Sequence, residues 1–100
     1  MNTSTDLAAV NRNLLVLAKR EPLEAMRVAA GLTIFGHTVT LVLMAGEIND
    51  EQLQSEQFEL LELADIEPLT THSAMSDKFT LVNAVGLGKI ISTVDAVVNL

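Results

Sequence analysis

"NLLVLAKREPLEAMRVAAGLTIFGHTVTLVLMAG", residues 13–46, decides the fold. Two apolar runs, 13–19 and 38–46, flank a stretch with a different rhythm. Apolar runs without polar alternation fit strands buried on both faces, as in a parallel sheet. Between them Leu23, Met26, Ala30 and Ile34 recur at spacings of three and four, which makes one apolar stripe on a helix. Pro22 suits the first helical turn, where its missing N–H is not needed. Gly36 suits the left-handed position that ends a helix. Strand, helix and strand at this spacing form a βαβ unit.

The pattern continues beyond this stretch. "INDEQLQSEQFELLELA" (48–64) reads as a second helix, capped by Asn49 or Asp50. Leu53, Phe58, Leu61 and Leu63 are its expected buried side. "IEPLTT" (66–71) is a short third strand, interrupted at Pro68, which cannot donate to a ladder. "KFTLVNA" (78–84) is a fourth strand, and "VGLGKIISTV" (85–94) is a short helix weakened by Gly86 and Gly88. "DAVVNL" (95–100) is a last apolar strand. Residues 1–12 are small and polar and read as an arm; residues 13–100 read as one domain. The alternation predicts a three-layer α/β sandwich with a mainly parallel sheet of four or five strands.

Composition narrows the function. The 100 residues are 49% hydrophobic, almost entirely aliphatic, with three Phe and no Tyr or Trp. A domain of this size buries only ~60–70% of its surface on folding. The apolar surplus predicts an oligomer, with the chain packed against itself or a partner. The net charge of −7 argues against nucleic acid and against an anionic membrane surface. Eight acids fall between Glu47 and Glu67, with no Lys or Arg among them. They read as a solvated helix face or as a docking patch for a basic partner. No cysteine is present, which removes disulfides, thiolate metal sites and thiol nucleophiles. No secretory leader and no membrane-length apolar run is seen, so a cytoplasmic protein is expected.

In parallel α/β folds, sites form at the carboxyl ends of strands. The loop after the third strand, "THSAMSD" (71–77), falls there. With Thr70 before it, it supplies the candidate site residues Thr70, Thr71, His72, Ser73 and Asp77. A serine hydrolase is not expected. Ser73 and His72 are sequence neighbours, which seldom aims both side chains at one point, and no G-x-S-x-G elbow exists. No metal is expected, because His37 and His72 fall at opposite ends of the sheet. "GLGK" (86–89) lacks the earlier Gly and the following Ser or Thr of a phosphate loop, with Asn83 and Ile90 in their places. It reads as a tight entry into a helix. Lys19 and Arg20 close the first strand and are a possible anion contact. No cofactor is implied.

Three stretches resemble the DsrE-like family of sulfur-relay proteins. The residues 13–48 are similar to its opening strand, Ala-rich helix, Gly-His turn and second strand ending in glycine. "LLELADIEPLTTHSAM" (60–75) resembles the helix and third strand leading to its active loop. "LVNAVGLGKIISTVDAVVNL" (81–100) resembles its closing helix and last strand, here Val94-Asp95-Ala96-Val97. The resemblance implies the family's flavodoxin-like sandwich. Its catalytic members carry a persulfide on a cysteine in the loop after the third strand. The matching positions Thr70 to Ala74 hold none, and a hydroxyl cannot carry a persulfide. What the resemblance implies is therefore a non-catalytic subunit or homologue, not an enzyme, associating with itself or with DsrE-like partners. A stand-alone homo-oligomer binding a small nucleotide or anion is the alternative.

Overall fold

The computed structural model of the protein describes residues 11–100, so most of the expected arm over 1–12 lies outside the described residues. Strand β1 (Asn13–Ala18) leads to helix α1 (Pro22–Ile34) and strand β2 (Thr38–Leu43). Two short helices, α2 (Asp50–Leu53) and α3 (Glu56–Leu63), precede β3 (Leu69–Thr70). A single 3-10 turn, Ser73–Met75, separates β3 from β4 (Thr80–Leu81). Helix α4 (Ala84–Thr93) and β5 (Ala96–Asn99) complete the chain. The five strands form one sheet in the order β4-β3-β2-β1-β5, and every pairing is parallel. The expected α/β fold with a parallel sheet is thus observed.

The apolar runs of β1 and β2 pair over their full length, Asn13 with Thr38 through Ala18 with Leu43. Successive strand residues point to opposite faces, so the two central strands serve two cores. Val16, Ala18, Leu41 and Leu43 join Ala25, Met26 and Ala29 of α1 and Leu61 of α3 in one buried cluster. Leu15, Leu17 and Val42 lie in the second, against Val82, Leu87, Ile90 and Val94. The alanines of α1 let that helix lie close to the sheet, with Met26 as its one large buried side chain. A fully buried methionine contributes about 1.5–3 kcal/mol.

Helix ends follow the sequence signals. Pro22 is in the first turn of α1. Gly36, at φ 95°, closes it: Gly36 N–H donates to Thr33 O and His37 N–H to Leu32 O, the paired pattern of a left-handed cap. The expected single helix over 48–64 is instead two. Asn49 and Gln52 form a reciprocal capping box that starts α2. Three residues later Ser55 accepts from Phe58 N–H and starts α3 afresh. The two apolar stripes also shorten. Ile34 is 78% exposed and Leu63 is 84% exposed, so the buried side of each helix stops short of its last residue. β3 and β4 keep only two paired residues each, with buried Pro68 immediately before β3. Gly86 and Gly88 lie within α4, as the helix read over 85–94 expects; Asn83 caps that helix by accepting from Gly86 N–H.

Candidate functional site

The carboxyl edge is built as a staircase. Met44 N–H donates to Ala18 O at 2.8 Å, and Thr71 N–H donates to Leu43 O at 3.3 Å. Each strand end thereby fixes the start of the next strand's loop. Thr70 is the last residue of β3 and is fully buried, so it does not belong to a surface loop. Its hydroxyl accepts from His72 N–H at 3.1 Å, and its carbonyl accepts from Val82 N–H at 2.8 Å. The first threonine of the polar cluster is a strut that folds the loop back on its strand.

His72 is the second fixed point. Its Nε2 lies 3.2 Å from the Met44 carbonyl. A carbonyl can only accept, so Nε2 is the donor in this contact. The ring ties the loop after β2 to the loop after β3. Ser73 opens the 3-10 turn and is exposed, and no hydrogen bond joins it to His72. Met75 is buried and its carbonyl receives Lys78 N–H and Phe79 N–H, which anchors the far side of the loop. Thr71 is half-buried and Asp77 exposed. The histidine, serine and aspartate are therefore not arranged as nucleophile, base and orienter. Among the described residues no three His, Asp or Glu side chains come together in metal-binding geometry.

Lys19 and Arg20 are exposed at the end of β1. β2 stands between β1 and β3, so this pair and the 70–77 loop are two strand spacings apart, about 10 Å, and do not form one site. Arg20 instead lines a cleft of about 380 Å³ with Glu21, Asn99 and Leu100. The cleft sits where the strand order reverses, between β1 and β5, the usual ligand position in open parallel sheets. Its floor is pinned by Leu100 O, which accepts from Arg20 N–H and Glu21 N–H. Sequence reading found Arg20 but not Asn99, because only the pairing of β5 beside β1 brings that residue there.

Two further hollows went unread in the sequence. The break at Ser55 opens a polar one of about 680 Å³, lined by Leu23, Asn49, Glu51 and Glu56 among others. The other lies between α3 and β4 and is partly apolar. At the opposite edge of the sheet His37 accepts from Arg12 N–H at 3.3 Å through Nδ1, and Asp95 accepts from Asn13 N–H at 2.7 Å. Both are ties between strand starts, which is the role of the aspartate in the Val94–Val97 string.

No protein-family model, curated protein or solved structure matches the chain. No helix among the described residues is long and apolar enough to cross a membrane.

Proposed function

We propose that the chain is a non-catalytic DsrE-like subunit or homologue in a sulfur-relay type complex of the cytoplasm, acting through association with copies of itself or with DsrE-like partners. The observation that carries this reading is the imbalance of α4. Helix α4 has no buried residue, yet its composition is apolar, and Val85 and Ile91 are exposed. Beside it on the same sheet, Val97 of the edge strand β5 is also exposed. The loop after β3 supports the non-catalytic part. It has no thiol, its first threonine is buried, and its histidine is tied to a backbone carbonyl.

The test is native mass, alone and after recovery from the source with its companions. An oligomer that Ile91→Glu with Val97→Glu reduces to monomer is the expected result. A stoichiometric cysteine-bearing companion supports the subunit reading, and a monomer at micromolar concentration by light scattering overturns association. Loop shape has its own test. Cysteine placed singly at Thr71, Ser73 or Ala74 should react faster with iodoacetamide than cysteine at Gln54 on the link between α2 and α3, since oriented backbone amides lower a thiol pKa. Equal rates at all four positions would leave the sulfur-relay connection without support.

The cleft of Arg20, Glu21, Asn99 and Leu100 favours a second reading, a stand-alone homo-oligomer holding a small nucleotide or anion at the strand-order reversal. A co-purifying ligand released by Arg20→Ala distinguishes it.

A further inference from the structure

Parallel strands are joined by crossovers of a dozen or more residues, usually with a helix. α1 fills this role between β1 and β2, and α2 with α3 between β2 and β3. Between β3 and β4 only residues 71–79 intervene, and their one regular element is the three-residue turn. The connection puts Met75 and Phe79 into the first core but supplies no α-helix beside α3. A groove of about 440 Å³ lies between α3 and the residues that lead into β3 and β4. Phe58 and Phe79 meet edge to face at its base, with ring centroids 6.2 Å apart, and Ile66 extends the apolar lining. Leu81, in register with Thr70 and Leu43, continues this face of β4 and is 47% exposed.

The rim is acidic. Glu62 and Glu67 line the groove, and Glu59 adjoins Glu62 in the neighbouring hollow. Lys78 is the one cation in the lining, and it makes no ion pair with a described residue. Arg27 with Glu24 is the only ion pair among the described residues, so three glutamates stand against one lysine around the groove with no ion pair among them.

We propose that the groove between α3 and β4 receives a basic amphipathic helix from a partner protein, which supplies the element missing from the β3–β4 crossover. Apolar side chains at i, i+3 or i+4 and i+7 sit over Phe58, Phe79 and Leu81, and flanking Lys or Arg side chains meet Glu62 and Glu67. A second copy of this chain is a poor occupant. It carries the same −7 charge, and among its described helices α1 has one cation, already paired with Glu24, and α4 has only Lys89. The groove is separate from the α4 surface, so this inference does not rest on the association described above.

The probe is a fluorescein-labelled 14-residue peptide with leucine at i, i+3, i+4 and i+7 and lysine on the flanks. Its control has glutamate in place of every lysine. Anisotropy with the full chain should show saturable binding of the lysine peptide, weaker as salt is raised, with a gain of helical circular dichroism. Two reversed surface ion pairs predict roughly tenfold weaker binding by the control peptide and by the Glu62→Lys/Glu67→Lys variant. Leu81→Glu should weaken binding while leaving the thermal midpoint in place, and Ile91→Glu should leave binding unchanged. The proposal is overturned if neither peptide binds, if both bind equally, or if Ile91→Glu is the change that abolishes binding. Self-association that Leu81→Glu removes would assign the groove to a second copy and overturn it as well.

Discussion

The two faces of the sheet are built from the same strands and are finished to different degrees. On one, Val16, Leu41 and Leu43 meet α1 and α3, and a contiguous core of eleven buried residues results. On the other, Leu15, Leu17 and Val42 are buried under α4, none of whose own residues is buried. The strands give four buried side chains to the first cluster and three to the second, while the α-helices give Ala25, Met26, Ala29 and Leu61 to the first and none to the second, so most of the asymmetry comes from the helices. The first face therefore holds the fold together, and the second leaves apolar surface available for contact with another molecule.

Truncation of the first core tests that division with the largest expected effect. Leu61→Ala removes a fully buried side chain and should cost about 2–5 kcal/mol. In a domain of this size that lowers the thermal midpoint by upward of about 10 °C. Ile90→Ala, from the partly buried side of α4, should cost about 1–2 kcal/mol. If Ile90→Ala proves as costly as Leu61→Ala in dilute protein, the two faces contribute equally and the comparison fails. Concentration sharpens it. Ile91→Glu should scarcely move the midpoint of dilute protein but should lower it at concentrations where copies associate, because an interface stabilises by mass action.

The elements of both faces were largely legible in the sequence: the helix read over 85–94 is α4, and the closing strand read over 95–100 is β5. Residues 13–46 announce their strands and helix because central parallel strands are buried on both sides and need no polar alternation. The errors fall at element ends, where tertiary position outweighs pattern. Ile34 and Leu63 sit in apolar stripes, but each is the last residue of its helix and is exposed. The α2–α3 break was written locally, as Asn49 with Gln52 and then Ser55, yet a continuous amphipathic reading masks a second cap inside a helix-like run. The site was less legible for a different reason. Thr70 and His72 look alike as polar loop residues, and only the register of β3 against β2 makes one a buried strut and the other a tie to Met44. The groove of Phe58 and Phe79 depends on a strand connection being too short to cover β4, which no local motif signals.

Glycine replacement in α4 asks a finer question about the second face. Nothing lies within 4 Å of a methyl added at Gly88, so Gly88→Ala should stabilise the chain by about 0.5–1 kcal/mol through helix propensity. At Gly86 the added carbon meets a Val82 methyl at 3.0 Å. Val82 packs on the second cluster, so its side chain must shift for the substitution to fit. Gly86→Ala should stabilise less than Gly88→Ala or not at all. An equal gain at both positions, measured by chemical denaturation, would show that Val82 moves freely and that α4 is still more loosely seated than the buried sheet beneath it suggests.

The smallest effect belongs to the outside of α1. Arg27 Nε and Nη2 donate to the two carboxylate oxygens of Glu24 at 2.6 and 2.9 Å. That hydrogen bonding from Arg27 holds the Glu24 carboxyl below its ordinary value, against a weaker opposing effect of desolvation. A carboxyl whose folded value is depressed adds stability that is present above its unfolded value. The contribution disappears as pH falls through the lowered folded value. Arg27→Gln should therefore lower the thermal midpoint slightly at neutral pH and not at all once the carboxyl is protonated in both states. Both side chains are largely exposed, so added salt should shrink even the neutral-pH difference. α4 has no ion pair among the described residues, and Lys89→Gln should give no such pH-dependent difference. A persistent gap between the wild-type chain and Arg27→Gln at acid pH would mean that Arg27 acts through the packing of its aliphatic stem on α1 and not through its charge.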